Sequence, residues 1–160
     1  MLQLPLTVRD FEAEDLGDVD WSGGAEHVNA VAEALMAAYS DQVALLVVTL
    51  PNGRLVAVGG VDFRIAADSG SLWMLSVHET FQGMGVGTLL IGGLEDRIRA
   101  AGLVTARMTV EHDNPRAAAL YRRLGYREVG AALESWPVAG GRTYVTVTTV
   151  LERRLSAGGQ

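Results

Sequence analysis

Three glycines at alternate positions, Gly83, Gly85 and Gly87, stand inside "LSVHETFQGMGVGTLLIGGL", residues 75–94. They fall between a run that reads as a strand and one that reads as a helix. Glycine weakens regular structure, so three at one junction point to an awkward turn or to something that approaches the backbone closely. A strand running into a helix leaves the first helical N–H groups unpaired and directed outward. With glycines there the backbone can wrap a phosphate, and the helix dipole favours the negative charge. A diphosphate is the natural guest. Two other phosphate motifs do not match: no Gly-Lys-Ser/Thr follows, and the spacing is GxGxG rather than the dinucleotide GxGxxG, with Glu111 slightly too far on to be its acidic partner. A purely structural turn is the competing reading.

Residue usage removes several other chemistries. The chain has no cysteine, which excludes disulfides, thiolate metal sites and a cysteine nucleophile. All 13 basic residues are arginine, so Schiff-base chemistry and a P-loop lysine are also excluded. Three scattered histidines, His27, His78 and His112, make no metal site, and no metal is expected.

The elements that must position the glycines can be read along the chain. "LTVRDF" reads as a first strand, and Val28, Val31, Ala32, Leu35 and Met36 take helical spacing within residues 25–39. "QVALLVVTL" and "RLVAVGGVDF" flank a "PNG" turn and read as a hairpin. "SLWMLSV" is apolar almost throughout, which predicts a strand covered on both faces. After the glycine turn a helix from about Val86 to Ala101 places Leu89, Leu90, Leu94 and Ile98 on one side, with Glu95 and Arg99 as an i,i+4 pair and Gly102 as a stop. In "LVTARMTVE", Ala106, Met108 and Val110 alternate with Thr105, Arg107, Thr109 and Glu111. "NPRAAALYRRLGY" carries both helix ends, with Asn114 at the N-cap, Pro115 at N1 and Gly125 at C′. Strands near "YREVG" and "RTYVTVTTVLE" follow, and fraying is expected from about residue 153. The order is β-α-β-β-β-α-β-α-β-β. That predicts an α/β (α+β) fold, one domain over residues 1–160, with a mixed sheet and a right-handed crossover at the glycines.

"QGMGVG", Gln82 to Gly87, matches the [QR]xxGx[GA] acyl-CoA signature, and the chain resembles the GNAT superfamily of N-acetyltransferases. "LSVHETF" looks like that family's fourth strand. "NPRAAALYRRLGY" looks like its fourth helix, where an NxxAxxLYxxxGF-type pattern is usual. The strongest motifs span about Leu72 to Tyr126, and the element order extends the likeness over nearly the whole chain, implying a mostly antiparallel central sheet flanked by helices. By that resemblance the backbone amides of Gln82, Gly83, Met84, Gly85, Val86, Gly87 and Thr88 bind the pyrophosphate of acetyl-CoA, and a Cβ at Gly85 or Gly87 would meet the phosphate. Leu75 and Val77 pair with the pantetheine arm through main-chain groups, and the Leu75 amide polarises the thioester carbonyl. Tyr121 matches the tyrosine beside the coenzyme sulfur, a general acid for the departing thiolate; a core aromatic is its alternative reading. Asn114 caps its helix, contacts pantetheine as the resemblance implies, or does one through the other. Arg122 and Arg123 are candidates for the 3′-phosphate, against the simpler reading of solvated arginines.

The resemblance does not supply a general base. Where some relatives carry Glu or His early in the fourth strand, this chain has Ser71 and Trp73. Glu111 is the leading candidate, with Asp62 and Glu134, placed in the late loop, behind it. A base acting through water, or an amine that arrives neutral, is the other way out. His78 reads as structural. The acidic segment Asp10 to Glu26 suits a cationic amine or simply a solvated surface, and Trp21, Trp136 and Tyr144 could line an acceptor pocket.

The expected activity is direct transfer of acetyl from acetyl-CoA to a primary amine of a small molecule or amino-acid derivative. A non-catalytic acyl-CoA-binding sensor or regulatory module on the same fold is the rival. A net charge of -6 argues against nucleic acid and anionic membranes as partners. The opening "MLQLPLTVRD" has neither a positive n-region nor a long apolar core, and no apolar stretch could span a bilayer. A soluble cytoplasmic protein is expected. A homodimer is plausible by family resemblance alone.

Overall fold

A run such as Val43–Thr49, "VALLVVT", is stable as a strand only when both of its faces are covered, and here they are. Leu45 and Val47 lie in one apolar cluster, Leu46 and Val48 in another on the opposite face. The computed structural model describes residues 5–156. Its elements are β1 (Thr7–Asp10), α1 (Ala25–Ala38), β2 (Val43–Thr49), β3 (Leu55–Asp62), β4 (Gly70–Val77), α2 (Val86–Ala100), β5 (Thr105–Glu111), α3 (Pro115–Arg123), β6 (Arg127–Val138) and β7 (Arg142–Arg154). Short 3-10 turns stand at Ala13–Asp18, Asp20–Ser22, Glu79–Phe81 and Ala139–Gly141. The order of strands and helices is the one expected from the sequence.

One sheet has the order β1-β2-β3-β4-β5-β7-β6. Every neighbouring pair is antiparallel except β4 with β5. Helix α1 covers one face through Val31, Ala34 and Leu35, while α2 covers the other through Leu90, Ile91, Leu94 and Ile98. Ala118 of α3 joins the α2 cluster.

Two features of β4 make the site. The parallel pairing with β5 covers only Gly70–Ala106 and Ser71–Arg107, after which no ladder joins the two strands among the described residues. The C-terminal half of β4 therefore has an open edge. In addition, Val58 faces Ser76 and Gly60 faces Trp73, so two residues of β4, Met74 and Leu75, oppose the single Gly59. This is a β-bulge. Met74 sits in it at φ 58°, a left-handed conformation that costs an L-residue about 1–2 kcal/mol. The extra residue resets the alternation: Leu72, Leu75 and Val77 pack on the α2 side, while Trp73 and Met74 both pack on the α1 side. Gly59 and Gly60 leave the room, since a Cβ there would lie 2.7 Å from the Leu75 side chain and 2.5 Å from the Trp73 ring.

Several expectations need correction. Strand β4 is only half-buried over most of its length, because the separation from β5 uncovers it. Met36 and Leu89 are exposed, and Ala34 and Ile91 fill their places. Glu95 does not pair with Arg99; it is buried and turned to β7, and Arg99 bonds Asp96 at 2.9 Å instead. Strand β6 continues past "YREVG" to Val138, putting Glu134 on a strand rather than in a loop. Its Pro137 is tolerated because β6 is an edge strand. Fraying does not begin at 153, because β7 runs through Arg154 and Leu155 is buried. Expectations for residues 1–4 and 157–160 lie outside the described residues.

Candidate active site

The glycine turn adopts the conformation that its sequence demands. Gly83 and Gly85 have φ of 77° and 84°, and Gly85 is the N-cap of α2 with no side chain capping it. The N–H groups of Val86, Gly87 and Thr88, the first three of the helix, thus lack an intrahelical partner. Beside them the Gln82 amide donates to the Val77 carbonyl at 3.2 Å, tying the turn to the end of β4. The cradle fits a phosphate-bearing ligand: a Cβ built at Gly85 meets nothing within 4 Å. Gly87 differs from expectation. Its Cβ would point inward, in ordinary contact 3.6 Å from Val77 and 3.7 Å from Leu120.

The sequence reading missed Arg116. A guanidinium nitrogen of this residue lies 3.3 Å from where a Gly83 Cβ would be, so the α3 N-terminus sets a positive charge over the turn. Arg122 is 3.9 Å from Glu128 on the exposed side of α3. Arg116 follows Pro115 in the first turn, and that position next to the motif was the available signal.

Both ends of α3 are built as the sequence indicates. The Asn114 side chain accepts from the Ala117 N–H at 3.2 Å. At the other end Gly125, φ 99°, makes a Schellman motif in which the Gly125 N–H donates to Arg122 O and the Tyr126 N–H to Tyr121 O, each at 3.0 Å. That motif brings the Tyr126 ring edge-on to Tyr121, 6.5 Å between centroids. The Tyr126 hydroxyl in turn donates to Glu95 at 2.8 Å, and Arg153 donates to both Glu95 oxygens at 3.0 and 2.9 Å. Tyr121 is half-buried, and burial pushes its phenol above the ordinary value, so it holds its proton through neutral pH.

Alternation along β5 separates the other candidates. Ala106, Met108 and Val110 enter the α2 cluster, so Thr109 and Glu111 face the opposite side. There Thr109 donates to Glu134 at 2.9 Å. Glu111, at the end of β5, has one buried carboxylate oxygen with no hydrogen-bond partner among the described residues. Ser71 likewise has a buried hydroxyl without one. Asp62 stands opposite Ser71, at the end of β4 that still pairs with β5, so it lies away from the open edge. Burial opposes its ionisation, but hydrogen bonds from Arg64 outweigh that and hold the carboxyl below its ordinary value. This does not suit a base.

On that same face a cavity of about 1250 Å³ opens between α1, the β4 bulge and the β6–β7 hairpin. Trp73, Met74 and Leu75 form its floor and Trp136 to Ala139 one wall. Tyr144 supports Trp136, 5.0 Å between ring centroids, without lining the cavity. Trp21 does not line it either; it donates to Asp18 O at 2.7 Å and packs on His78. The Nδ1 of His78 accepts from the Thr80 N–H at 3.2 Å, a turn-capping role. His27 does line the cavity. The Ser22 hydroxyl donates to Val19 O at 2.6 Å, so its oxygen accepts from His27 Nε2–H at 2.7 Å, which leaves Nδ1 as the bare nitrogen. Burial lowers the His27 pKa and keeps the ring uncharged. Three acids of the N-terminal segment have structural partners: Asp15 pairs with Arg9 and Asp10 with Arg97, both at 2.8 Å, and Asp18 accepts from the Leu55 N–H. Of its acids only Glu26 lines this cavity. Among the described residues no three His, Asp or Glu side chains come together as a metal site, and no helix is long and apolar enough to cross a membrane.

A sheet opened between two parallel strands, with an uncapped glycine turn at one lip and a cavity on the α1 side, defines the class of mixed α/β architecture to which this chain belongs. A family model described as the Acetyltransferase (GNAT) family matches residues 12–126, and the chain belongs to that family. It is similar in fold to the ribosomal-protein-S18-alanine N-acetyltransferase of Escherichia coli, at 21% identity and TM-score 0.70, over 98% of this chain and 97% of that one. It is also similar to a spermidine N-acetyltransferase of Vibrio cholerae solved with CoA and spermine, at 18% identity and TM-score 0.72, over 93% and 95% of the two chains. A PaiA N-acetyltransferase of Thermoplasma acidophilum solved with coenzyme A matches at 14% identity and TM-score 0.70, over 94% and 99%.

Proposed function

We propose that this chain is an N-acetyltransferase that passes the acetyl group of acetyl-CoA directly to a primary amine of a small molecule or amino-acid derivative. The observation that carries the reading is the uncapped glycine turn beside the open half-edge of β4, in a chain of the GNAT family. When bound, acetyl-CoA supplies an electrophilic thioester carbonyl and a thiolate leaving group. The amides from Gln82 to Thr88, with Arg116, hold the pyrophosphate. Leu75 and Val77 offer main-chain groups on the open edge, and the Leu75 N–H, turned out of the ladder by the bulge, polarises the carbonyl. Asn114 borders the pantetheine path at the start of α3. Glu111, whose unpartnered oxygen is buried and which does not itself line the cavity, takes the proton of the incoming ammonium through an intervening water. The amine nitrogen then bonds to the carbonyl carbon, the carbon–sulfur bond breaks, Tyr121 gives its proton to the leaving sulfur, and the second proton shed by the nitrogen passes to solvent, from which the phenolate is reprotonated. A cytoplasmic setting and a homodimer belong to the same proposal. The outer edge of β6, with exposed Leu133 on that strand and exposed Val145 and Val147 on the adjoining β7, supports a second copy pairing there.

Thermal unfolding with acetyl-CoA, against adenosine diphosphate as control, tests the foundation. At about 100 times Kd a specific ligand adds about 2.7 kcal/mol, several degrees in Tm for a domain of this size. An absent shift at millimolar acetyl-CoA would remove the binding site and the enzyme with it. A shift without turnover of any amine would instead leave the non-catalytic acyl-CoA-binding module.

A further inference from the structure

The cavity behind the β4 bulge has a composition that selects its guest. Six residues of α1 line it, and four of them, Glu26, Asn29, Ala30 and Glu33, recur at i, i+3, i+4 and i+7 and form one stripe along a helix face. Glu26 lies in the first turn of α1, where the helix dipole explains a carboxylate. Glu33 lies well inside the helix, where the dipole explains nothing. Neither glutamate has an ion-pair or hydrogen-bond partner among the described residues. Opposite the stripe stand Trp73, Met74 and Trp136. No arginine lines the cavity, and the chain has no lysine. His27, the remaining ionisable side chain there, already gives its one N–H to Ser22.

The space is open to water, with Glu26, Asn29, Glu33 and Trp136 all exposed. A carboxylate or phosphate settling there would still meet two glutamates and no cation, a like-charge approach that solvent weakens without reversing. An ammonium would meet the glutamates and the indole faces, which attract cations. We infer that the acceptor is a decarboxylated amine, a primary amine on an apolar carbon body with no anionic group, and that α-amino acids are rejected. This rests on the acetyltransferase reading and narrows its acceptor.

Matched pairs that differ only in the carboxylate test it: tryptamine against tryptophan, and phenethylamine against phenylalanine. Each is titrated by calorimetry into the CoA-bound protein, so binding is read without turnover. The amines should bind at least tenfold tighter than their amino acids. A Glu26→Gln, Glu33→Gln double variant should lose at least threefold of that preference while keeping its thermal shift with acetyl-CoA. Equal affinity within each pair, tighter binding of the amino acids, or no saturable binding by any of the four would overturn the inference. The acetyl-CoA shift would survive all three outcomes, whereas its loss would take down the acetyltransferase reading itself.

Discussion

At the scale of single residues, Tyr121 separates chemistry from binding. Its phenol is held protonated by burial rather than by a partner, so it can give a proton to a thiolate across the neutral range and above it. Tyr121→Phe keeps the ring and removes the proton. The expected result is a fall in kcat of about 100-fold or more, with KM for acetyl-CoA changed less than threefold. Steady-state kinetics in both substrates reads this directly, and a variant with normal kcat would reduce Tyr121 to packing. The sequence made Tyr121 visible because the motif around it is written in residue identities, with Asn114, Pro115 and Gly125 marking the helix ends. Arg116 and His27 were not legible in the same way. An arginine over a glycine, or a histidine whose tautomer is set by Ser22, exists only after separate elements have packed together.

At the scale of elements, the C-terminus of α3 is fastened to the sheet through one buried group. Glu95 carries Tyr126 and Arg153 together, and the sequence pattern misread it as a surface partner of Arg99. Periodicity places a residue on a helix face but does not say which strand will present a counter-charge there. Burial first, then the neighbouring Glu95 charge and hydrogen bond, push the Tyr126 phenol far above its ordinary value of 10.0. The folded state therefore keeps a proton that the unfolded chain releases above about pH 10, so stability falls with rising pH there. The slope is up to about 1.4 kcal/mol per pH unit for each such phenol. Urea melts between pH 9 and 11 should show that loss, and Tyr126→Phe should make it shallower. An unchanged slope would mean that folding does not raise the Tyr126 phenol. The bulge in β4 was equally hidden, since "SLWMLSV" is apolar at nearly every position and nothing in it marks where the alternation resets.

At the scale of the whole molecule, the two sides of the sheet have different work in the proposed reaction. The glycine turn and Tyr121 lie on the side of α2 and α3, while Glu111 and the cavity open on the side of α1. The donor and the acceptor would approach from opposite faces and meet where β4 and β5 have parted, with no residue needed to carry the acetyl group between them. Initial rates with both substrates varied should give intersecting double-reciprocal lines, and parallel lines would exclude direct transfer. The order of strands and helices was readable in advance because each has its own punctuation. The parting of β4 from β5 was not, because a missing ladder leaves no mark on composition. It has a mechanical consequence. Joined by a ladder at only two residue pairs, the two parts of the sheet rely on the α2 core they share to hold them together. A donor lying along the open edge of β4 would act as a brace across that gap, one that the chain does not encode and that departs whole, as coenzyme A, after each turnover.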